Sequence, residues 1–151
     1  VLEKLNADAA FTVIVGGDKT HPKRAAFSAC VYEALQAGIA QAKAGNWLND
    51  IGTAIEKVIT KGGYNIVKEY TGHGLGYQLH EDPHVFNYKN QVGNRKLIEG
   101  MTLAIEPIVT MGSPRNKTLS DKWTVVTLDG RDACQWEHCG VVTREGFEIF
   151  A

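Results

Sequence analysis

Apolar positions along the chain follow two periods. Residues 9–15 (Ala-Ala-Phe-Thr-Val-Ile-Val) are rich in β-formers and close at Gly16-Gly17, which predicts a strand. Thr20-His21-Pro22 is a helix start, since proline is tolerated in a first turn. From residue 23 to 44, Phe27, Val31, Leu35 and Ile39 recur at four-residue steps with Cys30 beside them, the stripe of an amphipathic helix. A second helix is predicted from Asn49 or Asp50, with Ile51, Ile55, Val58 and Ile59 facing a core, and it stops at Gly62-Gly63. Residues 64–67 read as a short strand. Residues 71–87, with Gly72, Gly74, Gly76, Pro83 and three histidines, read as loop. Strands follow at 101–109, 122–128 and 133–143, separated by turn material at Gly112-Ser113-Pro114 and Asp129-Gly130. The order predicts an α+β chain, helices packed on one face of a largely antiparallel sheet. The opening in mid-strand predicts that the first strand's other partner lies outside the chain, and that an exposed edge lies near Asp8.

Composition narrows this little. At 151 residues the chain suits one domain with a real core. A net charge of −1 without a basic or acidic run gives no electrostatic footprint for nucleic acid or an anionic membrane. The apolar runs are too short to span a bilayer. Cys134 and Cys139 lie five apart, so on one strand they face opposite ways. With Cys30 they read as free thiols of a reducing cytoplasm.

The candidate chemistry lies in acids that interrupt apolar strands. Asp8 directly precedes the strand at 9–15, Glu106 sits in Met-Thr-Leu-Ala-Ile-Glu-Pro-Ile-Val, and Glu137 in Cys-Gln-Trp-Glu-His-Cys-Gly-Val-Val. A buried carboxylate must pair, shift its pKa or bind a cation. His73, flanked by Gly72 and Gly74, allows close approach of backbone and substrate, and His80 follows seven residues on. Oxygen-rich ligation with one imidazole suits Mn²⁺, Fe²⁺, Co²⁺ or Zn²⁺ at a catalytic site. A literal H-E-x-x-H also occurs, His80-Glu81-Asp82-Pro83-His84. That motif works on a helix, and proline inside a helix costs about 3 kcal/mol or more, so the match reads as accidental.

Three blocks, Thr71-Gly-His-Gly-Leu-Gly-Tyr-Gln-Leu-His-Glu-Asp-Pro83, Glu99-Gly-Met-Thr-Leu-Ala-Ile-Glu-Pro-Ile-Val109 and Trp123 to Thr143, closely resemble those of type I methionine aminopeptidases. Asn6-Ala-Asp-Ala9 resembles the segment carrying that family's second aspartate. The resemblance covers essentially the whole chain. It implies the pita-bread fold, here its C-terminal portion with part of the N-terminal half missing, so that residues 1–151 form one portion of a catalytic domain. It implies two divalent metal ions held by Asp8, His73, Glu106 and Glu137, with Glu137 bridging them. A further aspartate ligand is expected before Val1. The implied reaction is removal of an N-terminal methionine from peptides and nascent chains by a metal-bound hydroxide. Glu106 would accept its proton, His80 would contact the scissile peptide, and Leu79 and Trp123 would line the methionine pocket. A monomer without nucleic-acid or membrane partners is implied. The related prolidase and aminopeptidase P branch tends to have Gly after Glu-Pro and Arg just before the last Glu. Ile108 and Gln135-Trp136 depart from that and favour the methionine branch. The competing reading is a shortened, non-catalytic copy of the fold that binds a peptide or a partner.

Overall fold

Helix α1 (Pro22–Ile39) opens with Pro22 in its first turn, as the sequence predicts. The computed structural model describes residues 4–151. The helix ends five residues before Ala44: past Ile39 the Gln41 and Ala42 N–H groups turn to the Gly38 and Ile39 carbonyls (2.9 Å each), and the Ala44 N–H goes to the Thr143 carbonyl (3.0 Å). Helix α2 (Leu48–Lys61) starts one or two residues earlier than predicted. The Trp47 N–H donates to the Asp50 carboxylate (2.8 Å), which satisfies one of the donors that every helix start leaves open. Ile51, Ile55 and Ile59 of α2 are fully buried against Val31 and Leu35 of α1, a core held by apolar burial.

Ten short strands complete the chain: β1 (Asn65–Ile66), β2 (Gly72–Gly74), β3 (Glu81–Val85), β4 (Thr102–Ile105), β5 (Ile108–Thr110), β6 (Asn116–Thr118), β7 (Val125–Thr127), β8 (Ala133–Gln135), β9 (His138–Val142) and β10 (Phe147–Ile149). They form antiparallel sheets of order β1-β5-β8 and β10-β9-β4-β2-β3, with β6 and β7 as a separate hairpin. The two helices share one core with the buried faces of both larger sheets. The predicted α+β architecture is therefore present. No helix among the described residues is long and apolar enough to cross a membrane.

Three expectations need correction. The strand predicted at 9–15 closes a single bridge, Ala10 to Glu137. Beyond it Thr12 bonds the Gln135 carbonyl through its hydroxyl (2.6 Å), and Phe11, Val13 and Val15 are exposed. Among the described residues no second strand covers that face. The stretch at 71–87, predicted as loop, contains β2 and β3. Its glycines are there because sheet backbones pass too close for a side chain: a Cβ on Gly72 would strike the Ala104 carbonyl, and one on Gly74 the Asp82 carbonyl. The long strands predicted at 101–109 and 133–143 are each broken in the middle, and each passes from one sheet to the other across the break. Pro107, which has no N–H to give a ladder, lies in the first break.

The crowding at Gly72 carries a prediction. Gly72→Ala should cost about 1–3 kcal/mol of stability, as overpacking does. Gly146→Ala, whose added methyl meets nothing within 4 Å, should be close to neutral. Equal urea midpoints for the two variants would refute the steric account.

Candidate metal centre

The two strand breaks lie opposite each other. Ile105 pairs with His138 before the break and Ile108 pairs with Gln135 after it, in one unbroken register. Glu106 therefore faces Glu137, and Pro107 faces Trp136. Like charges directly opposite on a sheet repel, so this placement requires a proton or a cation between them.

The remaining groups are delivered by neighbours of these strands. β2 pairs His73 with Ala104 of β4. The segment before Ala10 is tied down at successive points: Asn6 bonds the Gly76 and Tyr77 carbonyls through its side chain (3.0 and 3.1 Å), the Asp8 N–H reaches Cys139 Sγ (3.2 Å), and the Glu137 N–H donates to the Ala10 carbonyl (2.8 Å). These ties set Asp8 beside Glu137. Asp8, His73 and Glu137 each offer a ligand atom, all within 4.8 Å of one another. Glu106 joins the group through His73, its Oε1 lying 3.4 Å from His73 Nε2. The structure thus brings Asp8, His73, Glu106 and Glu137 together from four separate segments.

The electrostatics of these groups suit a cation. Burial, then the charges of Glu137 and Asp8, push the Glu106 carboxyl up to about 8. Burial and Asp8 push Glu137 up to about 7. His73 is 4% exposed, and burial lowers its pKa, with His80 and His84 adding to the effect against the opposing pull of Asp8 and its backbone bond. Its Nδ1 lies 2.9 Å from the Gly74 carbonyl, which can only accept. Nδ1 therefore carries the hydrogen, and Nε2 presents a lone pair towards the carboxylates. Glu137 Oε1 is buried and has no hydrogen-bond partner among the described residues. An orphaned carboxylate oxygen beside a neutral imidazole and two further acids fits a divalent cation: a positive charge there would lower both raised glutamates, keep the imidazole neutral and satisfy the orphan atom.

The His80 ring lies against His73, centroids 4.3 Å apart and planes tilted by 57°. Both line a cleft of about 320 Å³ with Thr71, Glu81, Asp82 and His84. The H-E-x-x-H lies in a bend and the extended strand β3, with a cis Asp82–Pro83 peptide, not on a helix. The two-histidine helical geometry is therefore absent. Leu79 is exposed on the turn leading to His80. Trp123 is not brought into the cleft. It is 87% exposed between β6 and β7, on a hairpin held by its own two strands, and nothing among the described residues packs on it.

Sequence reading missed two groups that hold Glu106. Gln135 Nε2 donates to Glu106 Oε2 (3.0 Å), and Asn87 Nδ2 donates to the Glu106 carbonyl (3.2 Å). Gln135, two residues before Glu137, was within reach of a register argument. Asn87 gave no local signal.

Comparison with known proteins agrees with this geometry. Over 148 residues the chain is 39% identical to methionine aminopeptidase 1 of Bacillus subtilis, covering 98% of this chain and 59% of that protein. It superposes on the crystal structure of the Thermotoga maritima methionine aminopeptidase with a TM-score of 0.89 at 38% identity, over 97% of this chain and 58% of that one. For the Rickettsia prowazekii methionine aminopeptidase the TM-score is 0.85 at 34% identity, over 98% and 59%. The fold is the pita-bread fold these structures share. The chain spans about 59% of the length of the first of these relatives. Residues 1–144 match the sequence profile of one family of metal-dependent peptidases. With its acids and neutral imidazole gathered at one point of that fold, the chain belongs to metallopeptidase family M24.

Proposed function

We propose that the chain is the catalytic portion, residues 1–151 of a single catalytic domain, of a methionyl aminopeptidase that removes N-terminal methionine from peptides and nascent proteins. The observation that carries this reading is the buried, unpartnered Glu137 Oε1 within reach of Asp8 and His73, with Glu106 next to His73. Asp8, His73, Glu106 and Glu137 would hold two divalent ions (Mn, Fe, Co or Zn). Held there, such ions would supply a water made nucleophilic at neutral pH and a polarised scissile carbonyl. Glu106, beside His73 and opposite Glu137, takes the proton from the attacking water and passes it to the leaving amine. His80, against His73 at the cleft wall, donates a hydrogen bond to the carbonyl oxygen as negative charge develops on it. Leu79, exposed on the turn beside His80, is the side chain proposed to meet the methionine side chain, with Trp123 reaching it from the exposed hairpin outside the cleft.

The same reading makes the protein a cytoplasmic monomer whose partner is a peptide beginning with Met, with neither nucleic acid nor membrane involved. Support comes from the net charge of −1 and three free cysteines. The test uses the full chain as encoded, dialysed against Co²⁺ or Mn²⁺ and given a Met-Ala peptide. Release of free methionine, and none from a peptide lacking N-terminal Met, is expected. Metal uptake without methionine release would overturn the peptidase reading in favour of a peptide-binding module. No metal uptake would overturn the metal site.

A further inference from the structure

We infer that residues 86–90 form a strap that positions Glu106 from helix α2, with Asn87 as the positioning residue; this rests on the metallopeptidase reading above. At the break between β4 and β5 the Glu106 carbonyl stands next to Pro107, and the Asn87 side chain supplies it with a donor, Nδ2 at 3.2 Å. Asn87 is fully buried (0% exposed), so this amide occupies core volume that an apolar residue would fill at lower cost unless the bond is needed.

The segment around it is fixed to α2 on both sides. Gly52 of α2 lies against the carbonyls of Phe86 and Tyr88, so closely that an added Cβ would strike both. The Lys89 N–H donates to Glu56 (3.1 Å), and the Asn90 N–H to Asn49 Oδ1 (2.7 Å). Helix α2 thus grips residues 86–90 at three points, and Asn87 reaches from the grip to the backbone of Glu106. A glycine inside a helix costs roughly 1 kcal/mol relative to alanine. Gly52 is tolerated because the strap needs that surface. Gln135 holds the Glu106 carboxylate from one side and Asn87 holds its main chain from the other. The side chain is thereby aimed at His73 and Glu137.

Two variants test this, with Co²⁺ affinity read by absorbance titration and kcat and KM measured on a Met-Ala peptide. Asn87→Leu keeps the shape and removes the donor. Gly52→Ala improves helix propensity and pushes the strap away. Each is expected to weaken Co²⁺ binding by about 10-fold, the effect usual for losing a group that orients a metal ligand, and to lower kcat with KM little changed. Ile59→Val, a core change in the same helix remote from the strap, serves as the comparison for simple loss of stability and should leave affinity and kcat as in the wild type. Wild-type affinity and kcat in Asn87→Leu and Gly52→Ala, or losses no larger than in Ile59→Val, would overturn the inference alone. Absence of Co²⁺ binding by the wild-type protein would overturn the metal site and the inference with it.

Discussion

Replacing His73 with alanine is expected to weaken Co²⁺ binding by more than about 100-fold, beyond the 10–100-fold usual for an outer group, and to remove methionine release. His73 is the only imidazole in the group formed with Asp8 and Glu137, and its Nδ1–H is spent on the Gly74 carbonyl, which leaves Nε2 free to ligate. Loss of the ring leaves the buried Glu137 and the half-buried Asp8 and Glu106 without the neutral ligand between them. His84 provides the contrast. It lines the same cleft, but its Nδ1 is engaged with Thr71 Oγ1 at 3.2 Å and its ring lies outside the three-residue group. His84→Ala should therefore bind Co²⁺ and cleave a Met-Ala peptide nearly as the wild type does. Lost Co²⁺ binding in His84→Ala with binding kept in His73→Ala would instead make the H-E-x-x-H motif the metal site.

In the presence of a chelator, the metal-free protein is expected to lose stability steadily as the pH rises towards 8. Glu106 and Glu137 titrate near 4.5 when free but are raised to about 8 and about 7 in the fold. Between those values the folded state binds more protons than the unfolded state, so unfolding free energy falls with rising pH. Their contribution is present below about pH 4.5 and gone once the pH exceeds the folded values. His73, lowered by burial, acts in the opposite sense below its ordinary value, since the unfolded chain there binds the extra proton. The net decline is therefore clearest between about pH 6.5 and 8. Asp8 acts on both carboxyls and His73 lies beside Glu106, while His80 and His84 act on His73. Each pKa unit corresponds to about 1.4 kcal/mol, and the two acids are coupled, so a total of a few kcal/mol is expected. For a chain of this size that is roughly 5–10 °C in Tm. Calorimetry in EDTA should show this decline, with a flatter profile for Glu106→Gln. Added Co²⁺ or Mn²⁺ should restore the wild-type Tm at pH 8 by binding the folded state alone. Parallel profiles for wild type and Glu106→Gln would show that the carboxylate pair does not control stability.

Both predictions start from residues that stand out in the sequence for one reason: an acid inside an apolar strand is costly, so it attracts notice wherever it occurs. Asp8, Glu106 and Glu137 are legible in this way, and His73 by the glycines on either side. The helices are legible because a buried face on a helix leaves a four-residue period that local sequence carries in full, and both appear within a few residues of their predicted bounds, α1 at its start and α2 at both ends.

The rest depends on what crosses between segments. Gly72 and Gly74 look like loop residues, yet they sit in a strand because neighbouring carbonyls leave no room for a side chain. Phe11, Val13 and Val15 have the composition of a strand but lack a second partner among the described residues, and a ladder needs one. Asn87 and Gln135 are ordinary polar residues until the fold brings them to Glu106. The sequence by itself determined which groups carry the chemistry, since burying charge is expensive wherever the chain puts it. Only the tertiary structure decided that Glu106 faces Glu137 and what holds it there, because register and cross-segment hydrogen bonds are properties of paired strands rather than of any one stretch of residues.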